Sequence, residues 1–154
     1  MNFLSLFKRN IFFKFKKKIN IDFDKINKKT LDDFFIYYGS DKASLFTKSD
    51  SKGHGFSKFY TRHLNHLKNN KINILEIGSY AGASAAAFIK YFPNSTVYCF
   101  DINISKIDYS SNKMNVYGLD INNKKKLHET LNKIIAGNEI EFFFSQCEQV
   151  KIHD

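Results

Sequence analysis

The sequence is poor in the residues that cross-link or punctuate chains: 154 residues contain two Cys, one Pro and no Trp. Cys99 and Cys147 stand far apart with no Cys-x-x-Cys or Cys/His spacing around them, so neither a disulfide framework nor a zinc site is supported, and no metal is expected. Cys99 lies inside the apolar run Val97-Tyr98-Cys99-Phe100, where a thiol behaves as a small buried hydrophobe; a reducing, cytoplasmic setting is expected. No apolar run approaches the roughly 18 residues that span a bilayer, and no small-residue cleavage site follows the N-terminus. Seven Gly and a single Pro exclude collagen-like and Pro/Gly-rich disordered compositions.

What is abundant is Phe, with 17 copies, and positive charge: 24 Lys and Arg against 15 Asp and Glu, a net charge of +9. A hydrophobic share of 43% is enough for one core, and the chain is read as one domain or part of one. Basic chains raise nucleic acid or anionic membrane as partners, because cations release counterions when they meet phosphates. Here the charge gathers in residues 8–18, 25–29 and 124–126 and is mostly Lys, which reads as solvated surface; no specific nucleic-acid partner is expected. Residues 1–30 form a basic, Phe-rich leader that could lie on an anionic membrane surface as a weak contact. The preferred reading is a leading helix that packs its Phe residues on the domain.

Past the leader, residues 31–70 read as helices and an entrance loop. Leu31-Asp32-Asp33-Phe34-Phe35-Ile36-Tyr37-Tyr38 has helical spacing and stops at Gly39, a suitable C-cap. Residues 40–55 are small and polar and read as an ordered loop or lid. Phe56, Phe59, Tyr60, His63, Leu64 and Leu67 then recur at helical steps. From residue 71 strands and helices alternate. Strands are expected at residues 72–77, 96–101, 114–117 and 140–144, and helices at residues 83–92 and 123–135. That order predicts an α/β fold with a parallel sheet and crossover helices.

The chemistry concentrates where the first of these strands meets its helix, at Glu76-Ile77-Gly78-Ser79-Tyr80-Ala81-Gly82-Ala83-Ser84. A tight turn of small residues lets backbone amides approach a ligand at a helix N-terminus, where the dipole is positive. The Gly-x-x-x-Gly spacing departs from the Gly-x-Gly-x-x-Gly fingerprint of dinucleotide sites, which disfavours an NAD(P)-dependent protein. Asp101, closing the next strand, can accept hydrogen bonds from the vicinal hydroxyls of a ribose. Asp120, just after the third strand, can accept one from an adenine amino group. His63 and His66 have no carboxylate nearby in sequence and read as a polar helix edge.

These residues resemble the class I S-adenosyl-L-methionine-dependent methyltransferases and, within them, the sugar O-methyltransferases of macrolide and surface-glycan clusters. The likeness runs from about residue 37 to about residue 131. That subgroup carries Tyr-Gly-Thr-Asp-Lys-Gly followed by a His and a Tyr; Tyr38-Gly39-Ser40-Asp41-Lys42-Ala43, His54 and Tyr60 match the pattern. The resemblance implies a Rossmann-like sheet and S-adenosylmethionine as cofactor. Glu76 and the turn Gly78, Ser79, Tyr80 and Gly82, with Ser84, would hold its methionine part. Asp101 with Ile102 would hold the ribose, and Asp120 the adenine edge. Asp41, Lys42 and His54 look like entrance-loop residues near the cofactor or a sugar or small-molecule acceptor.

In the family the fourth strand is followed by Asp-Asp-Gly-Ser-His at the acceptor site, and residues 145–154 do not match it. The expectation is therefore an incomplete fold containing the first four strands, through truncation, a frameshift or a partial gene model. An exposed parallel edge would promote association, so a homo-oligomer is also expected. The leading functional expectation is O-methylation of a sugar or small molecule, with activity lost if the acceptor half is absent. The competing one is a non-catalytic nucleotide-binding or membrane-peripheral protein.

Overall fold

The computed structural model describes residues 3–46, 51–136 and 142–146. The chain opens with helix α1 (Phe3–Phe15), then a two-residue strand β1 (Ile19–Asn20) and helix α2 (Leu31–Tyr38). A short antiparallel pair, β2 (Leu45–Phe46) and β3 (Ser51–Lys52), precedes helix α3 (Ser57–Leu64). There follow β4 (Asn73–Ile77), α4 (Ala83–Tyr91), β5 (Thr96–Asp101), β6 (Tyr109–Ser110), β7 (Met114–Gly118), α5 (Lys124–Ile135) and β8 (Phe142–Gln146).

The main sheet is four-stranded and parallel throughout, in the order β7-β5-β4-β8. Strand order reverses at β4, so the C-terminal ends of β4 and β5 lie beside the switch point where ligands bind in open α/β sheets. All four strands expected from the sequence are present. Residues 140 and 141, and everything after residue 146, lie outside the described residues, including Cys147 and all but the first two residues of the 145–154 segment that departs from the family pattern.

Side chains alternate across the sheet, and the two faces bury different helices. Ile74, Val97 and Cys99 belong to the core that includes Phe35 of α2, Tyr60 of α3 and Phe88 of α4. Leu75, Tyr98 and Phe100 point the other way and meet Leu119 and Ile134 of α5. Phe88 stands edge-on to both Phe35 and Tyr60, each at 5.3 Å between ring centroids, which locks α2 and α3 onto α4.

Local signals account for where the helices stop. Thr30 and Asp33 form a capping box at the start of α2: the Asp33 amide donates to Thr30 Oγ1 at 3.1 Å and the Thr30 amide to Asp33 Oδ2 at 3.0 Å. Gly39 closes the same helix in the left-handed region, at φ 72°. Asn123 caps α5, accepting from the Lys126 amide.

Two features depart from the sequence reading. The polar stretch at residues 40–55 carries the β2–β3 pair, and the segments flanking it are laced together: the His54 amide donates to Asp41 O at 2.8 Å and the Gly55 amide to Ala43 O at 2.9 Å. Much of the leader's Phe surface is not packed on the domain: Phe7, Phe12 and Phe15 are exposed, while Phe13 is half-buried. Polar contacts help hold α1 to the domain: the Arg9 guanidinium donates to Ile102 O at 3.1 Å, and Lys16 Nζ sits 2.7 Å from Asp108. The leader also lends a strand, since β1 pairs in parallel with β6.

Candidate functional site

The turn between β4 and α4 is built from backbone conformations that side chains resist. Gly78 and Gly82 sit at φ 78° and 77°, and Tyr80 is the one non-glycine at positive φ among the described residues, at 43°. Hydrogen bonds hold the bend: the Gly78 amide donates to Phe100 O at 2.8 Å and the Gly82 amide to Ser79 O at 2.7 Å. Gly82 is the N-cap of α4, whose first-turn amides present the positive end of the helix dipole. An added Cβ at Gly82 would lie 3.4 Å from the Ile107 side chain, so the bend is also closely packed.

Asp101 closes on this bend. Its Oδ2 accepts from the Tyr80 amide at 2.8 Å, and its Oδ1 accepts from the Asn103 amide at 2.6 Å. Each carboxylate oxygen keeps a further lone pair, and the residue is only partly buried. Leu119 donates its amide to Asp101 O at 3.1 Å, which brings Asp120 to the same edge. Asp120 is partly exposed, with Oδ1 accepting from the Asn122 amide at 3.0 Å. Ile102 is 40% exposed at that edge, and its carbonyl accepts from Arg9.

A cleft of about 160 Å³ opens between the turn and the entrance loop. Ser40, Asp41 and Phe46 line one side of it, and Ser79, Tyr80 and Ser84 the other. Tyr80 is 64% exposed over it. At the loop, His54 Nε2 lies 3.8 Å from Asp41 Oδ2, and the imidazole stacks on Phe56 with ring centroids 5.4 Å apart.

Beneath the turn the arrangement is different from a solvent-facing binding edge. Glu76 is fully buried, hydrogen-bonded by the Ser84 hydroxyl, with Lys42 Nζ 3.5 Å from its Oε1. Glu76 Oε2 has no hydrogen-bond partner among the described residues. Lys42, expected at the entrance, therefore turns inward and joins the loop to the turn. Cys99 is buried in the same layer, where desolvation and the neighbouring Glu76 push its thiol well above the usual range, so it stays protonated and unreactive.

One residue that sequence reasoning missed organises the loop. Asp32, in the first turn of α2, accepts from the Ser44 amide at 2.8 Å and from the hydroxyls of Ser44 and Ser57. Partial burial raises its carboxyl, but the hydrogen bonds from Ser44 and Ser57 outweigh that and hold it below the ordinary value. The only sequence signal was its place in a capping-box helix start, which does not reveal partners 12 and 25 residues away.

Comparison with known proteins adds the fold. No protein-family model matches the sequence, and no curated protein matches it. Solved structures do match. Two crystal structures of MycE, a methyltransferase from the mycinamycin biosynthetic pathway, are 20% identical over 70% of this chain with a TM-score of 0.56. One is in complex with Mg and SAH, the other with Mg, SAH and mycinamycin VI. The chain spans 29% of the length of each. It has an α/β fold with the parallel, Rossmann-like sheet of these methyltransferases. No cluster of three or more His, Cys, Asp or Glu suited to a metal is present among the described residues. No described helix is long and apolar enough to cross a membrane.

Proposed function

We propose that this chain carries the S-adenosylmethionine site of a methyltransferase that methylates a hydroxyl of a sugar or small molecule. The observation that carries the reading is the Asp101 carboxylate bonded to the Tyr80 amide, at the switch point of a parallel sheet and beside the cleft. MycE, with the same fold, is a methyltransferase crystallised with SAH, which supports the reading.

The residues present suit that cofactor. The first-turn amides of α4 offer donors to the carboxylate of its methionine part, while the Ser79 and Ser84 hydroxyls are already spent on Glu76. The remaining acceptor capacity of Asp101 faces ribose hydroxyls, with Asp120 next along the edge for adenine. Glu76 acts one layer down, fixing Ser84 and Lys42 beneath the turn. When bound, the cofactor would supply a sulfonium-bound methyl group for in-line transfer to an acceptor oxygen, with the neutral thioether as leaving group. The protein's part is to align the two and exclude water. Asp41 on the opposite wall, with His54 Nε2 3.8 Å from its Oδ2, would meet an acceptor entering from the loop side.

Titration calorimetry of the wild type with S-adenosylmethionine, S-adenosylhomocysteine, ATP and NADH tests this. Binding of the first two, weakened at least about tenfold by Asp101→Asn, is expected, since one lost charge-assisted hydrogen bond is worth that much. Preference for ATP or NADH, or no binding by folded protein, would sink the reading.

A further inference from the structure

The face that α1 turns to solvent is the one a soluble helix ordinarily hides. Leu4, Phe7, Ile11 and Phe15 follow at steps of three and four and are 60%, 53%, 41% and 85% exposed, with Phe12 beside them at 63%. Lys8, Lys14 and Lys17 are exposed around this stripe, and no Asp or Glu occurs before Asp22. The helix cannot simply roll over to bury the stripe. Arg9 and Lys16 hold the opposite side to the loop after Asp101, and Asn10 presses on Gly118 so closely that a Cβ there would lie 2.0 Å from Asn10 Oδ1.

We propose that α1 is an interfacial anchor that seats this chain on an anionic lipid bilayer. With 13 residues it is far too short to span one, but its length and composition suit a helix lying in the headgroup plane. The aromatic and aliphatic side chains enter the acyl boundary while the lysines reach outward to anionic headgroups. The charge decides the occupant. Protein interfaces are depleted in lysine, whereas a surface of anionic lipid attracts each one, and here exposed lysines accompany the apolar stripe in a helix that contains no Asp or Glu. Because α1 rests on the loop that follows Asp101, the anchor would hold the cofactor edge of the sheet near the membrane.

The test is co-sedimentation of the full chain with vesicles of phosphatidylcholine alone and of phosphatidylcholine mixed with phosphatidylglycerol. Binding to the mixed vesicles, reversed by high salt, is expected. The triple variant Phe7→Ser, Phe12→Ser, Phe15→Ser should lower the partition at least about tenfold, and Lys8→Gln, Lys14→Gln, Lys17→Gln should erase the preference for anionic lipid. These side chains are exposed, and circular dichroism verifies that both variants keep the fold. Absence of the wild type from the mixed-vesicle pellet overturns the proposal, as does a partition unmoved by the Phe changes. A dimer in sedimentation velocity that the Phe variant abolishes also overturns it, by giving the face to a second copy. Cofactor titration is read separately, so either conclusion can fail alone.

Discussion

Lys42 Nζ lies 3.5 Å from Glu76 Oε1 with both side chains shut away from water, so the loop before α3 and the turn after β4 share one buried ion pair. Removing one partner leaves the other a buried group without this counter-ion. Glu76→Ala and Lys42→Ala should each lose about 3–5 kcal/mol in urea unfolding. Lys42→Met combined with Glu76→Leu should lose clearly less than the sum, because no orphan charge remains. Additive losses would show that the two groups do not interact.

Tyr80 is strained where it stands. A residue with a Cβ at positive φ costs about 1–2 kcal/mol, so Tyr80→Gly should raise the melting temperature. The same change removes an exposed ring from the cleft wall and should weaken S-adenosylhomocysteine binding. Calorimetry and thermal melts on one preparation read both effects; a variant that binds unchanged would remove Tyr80 from the site.

Asp32 makes the entrance loop sensitive to acid. Its carboxyl is lowered in the folded state, so its stabilising effect is complete above the unfolded value of about 3.9 and is lost as pH falls through the lower folded value. Asp32→Asn should remove that part of the acid dependence. It should also speed hydrogen exchange at the Ser44 amide by about 10- to 150-fold, since a lost hydrogen bond to a charged group is worth about 1.5–3 kcal/mol. Equal exchange in both proteins would refute the anchoring role.

Cys99 should be silent to thiol reagents. In a Cys147→Ser background, a disulfide reagent at neutral pH should label nothing until denaturant is added, because burial holds the thiol protonated and inaccessible. Labelling of native protein at the rate of a free thiol would mean that the β4–β5 layer opens.

The strand–turn–helix at residues 72–91 was legible because its signals are local: a β-branched run, glycines where the bend needs positive φ, and helix formers ended before Pro93. Asp101 was legible for a similar reason, as the carboxylate that ends a strand in an alternating pattern. The pairs β1–β6 and β2–β3 were not, because two residues carry no period and their partners are supplied by the rest of the fold.

By itself, then, the chain's order of residues determined the order of the main-sheet strands and their helices, the glycine bend after β4 and the carboxylate beside it, since each rests on neighbours a few positions apart. Tertiary structure alone decided that Lys42 goes inward to Glu76, that Asp32 ties down Ser44 and Ser57, and that α1 shows its Phe residues to solvent. Those outcomes depend on which distant backbone arrives alongside, and on whether the polar or the apolar side of a helix finds the better partners there. No local pattern contains that comparison.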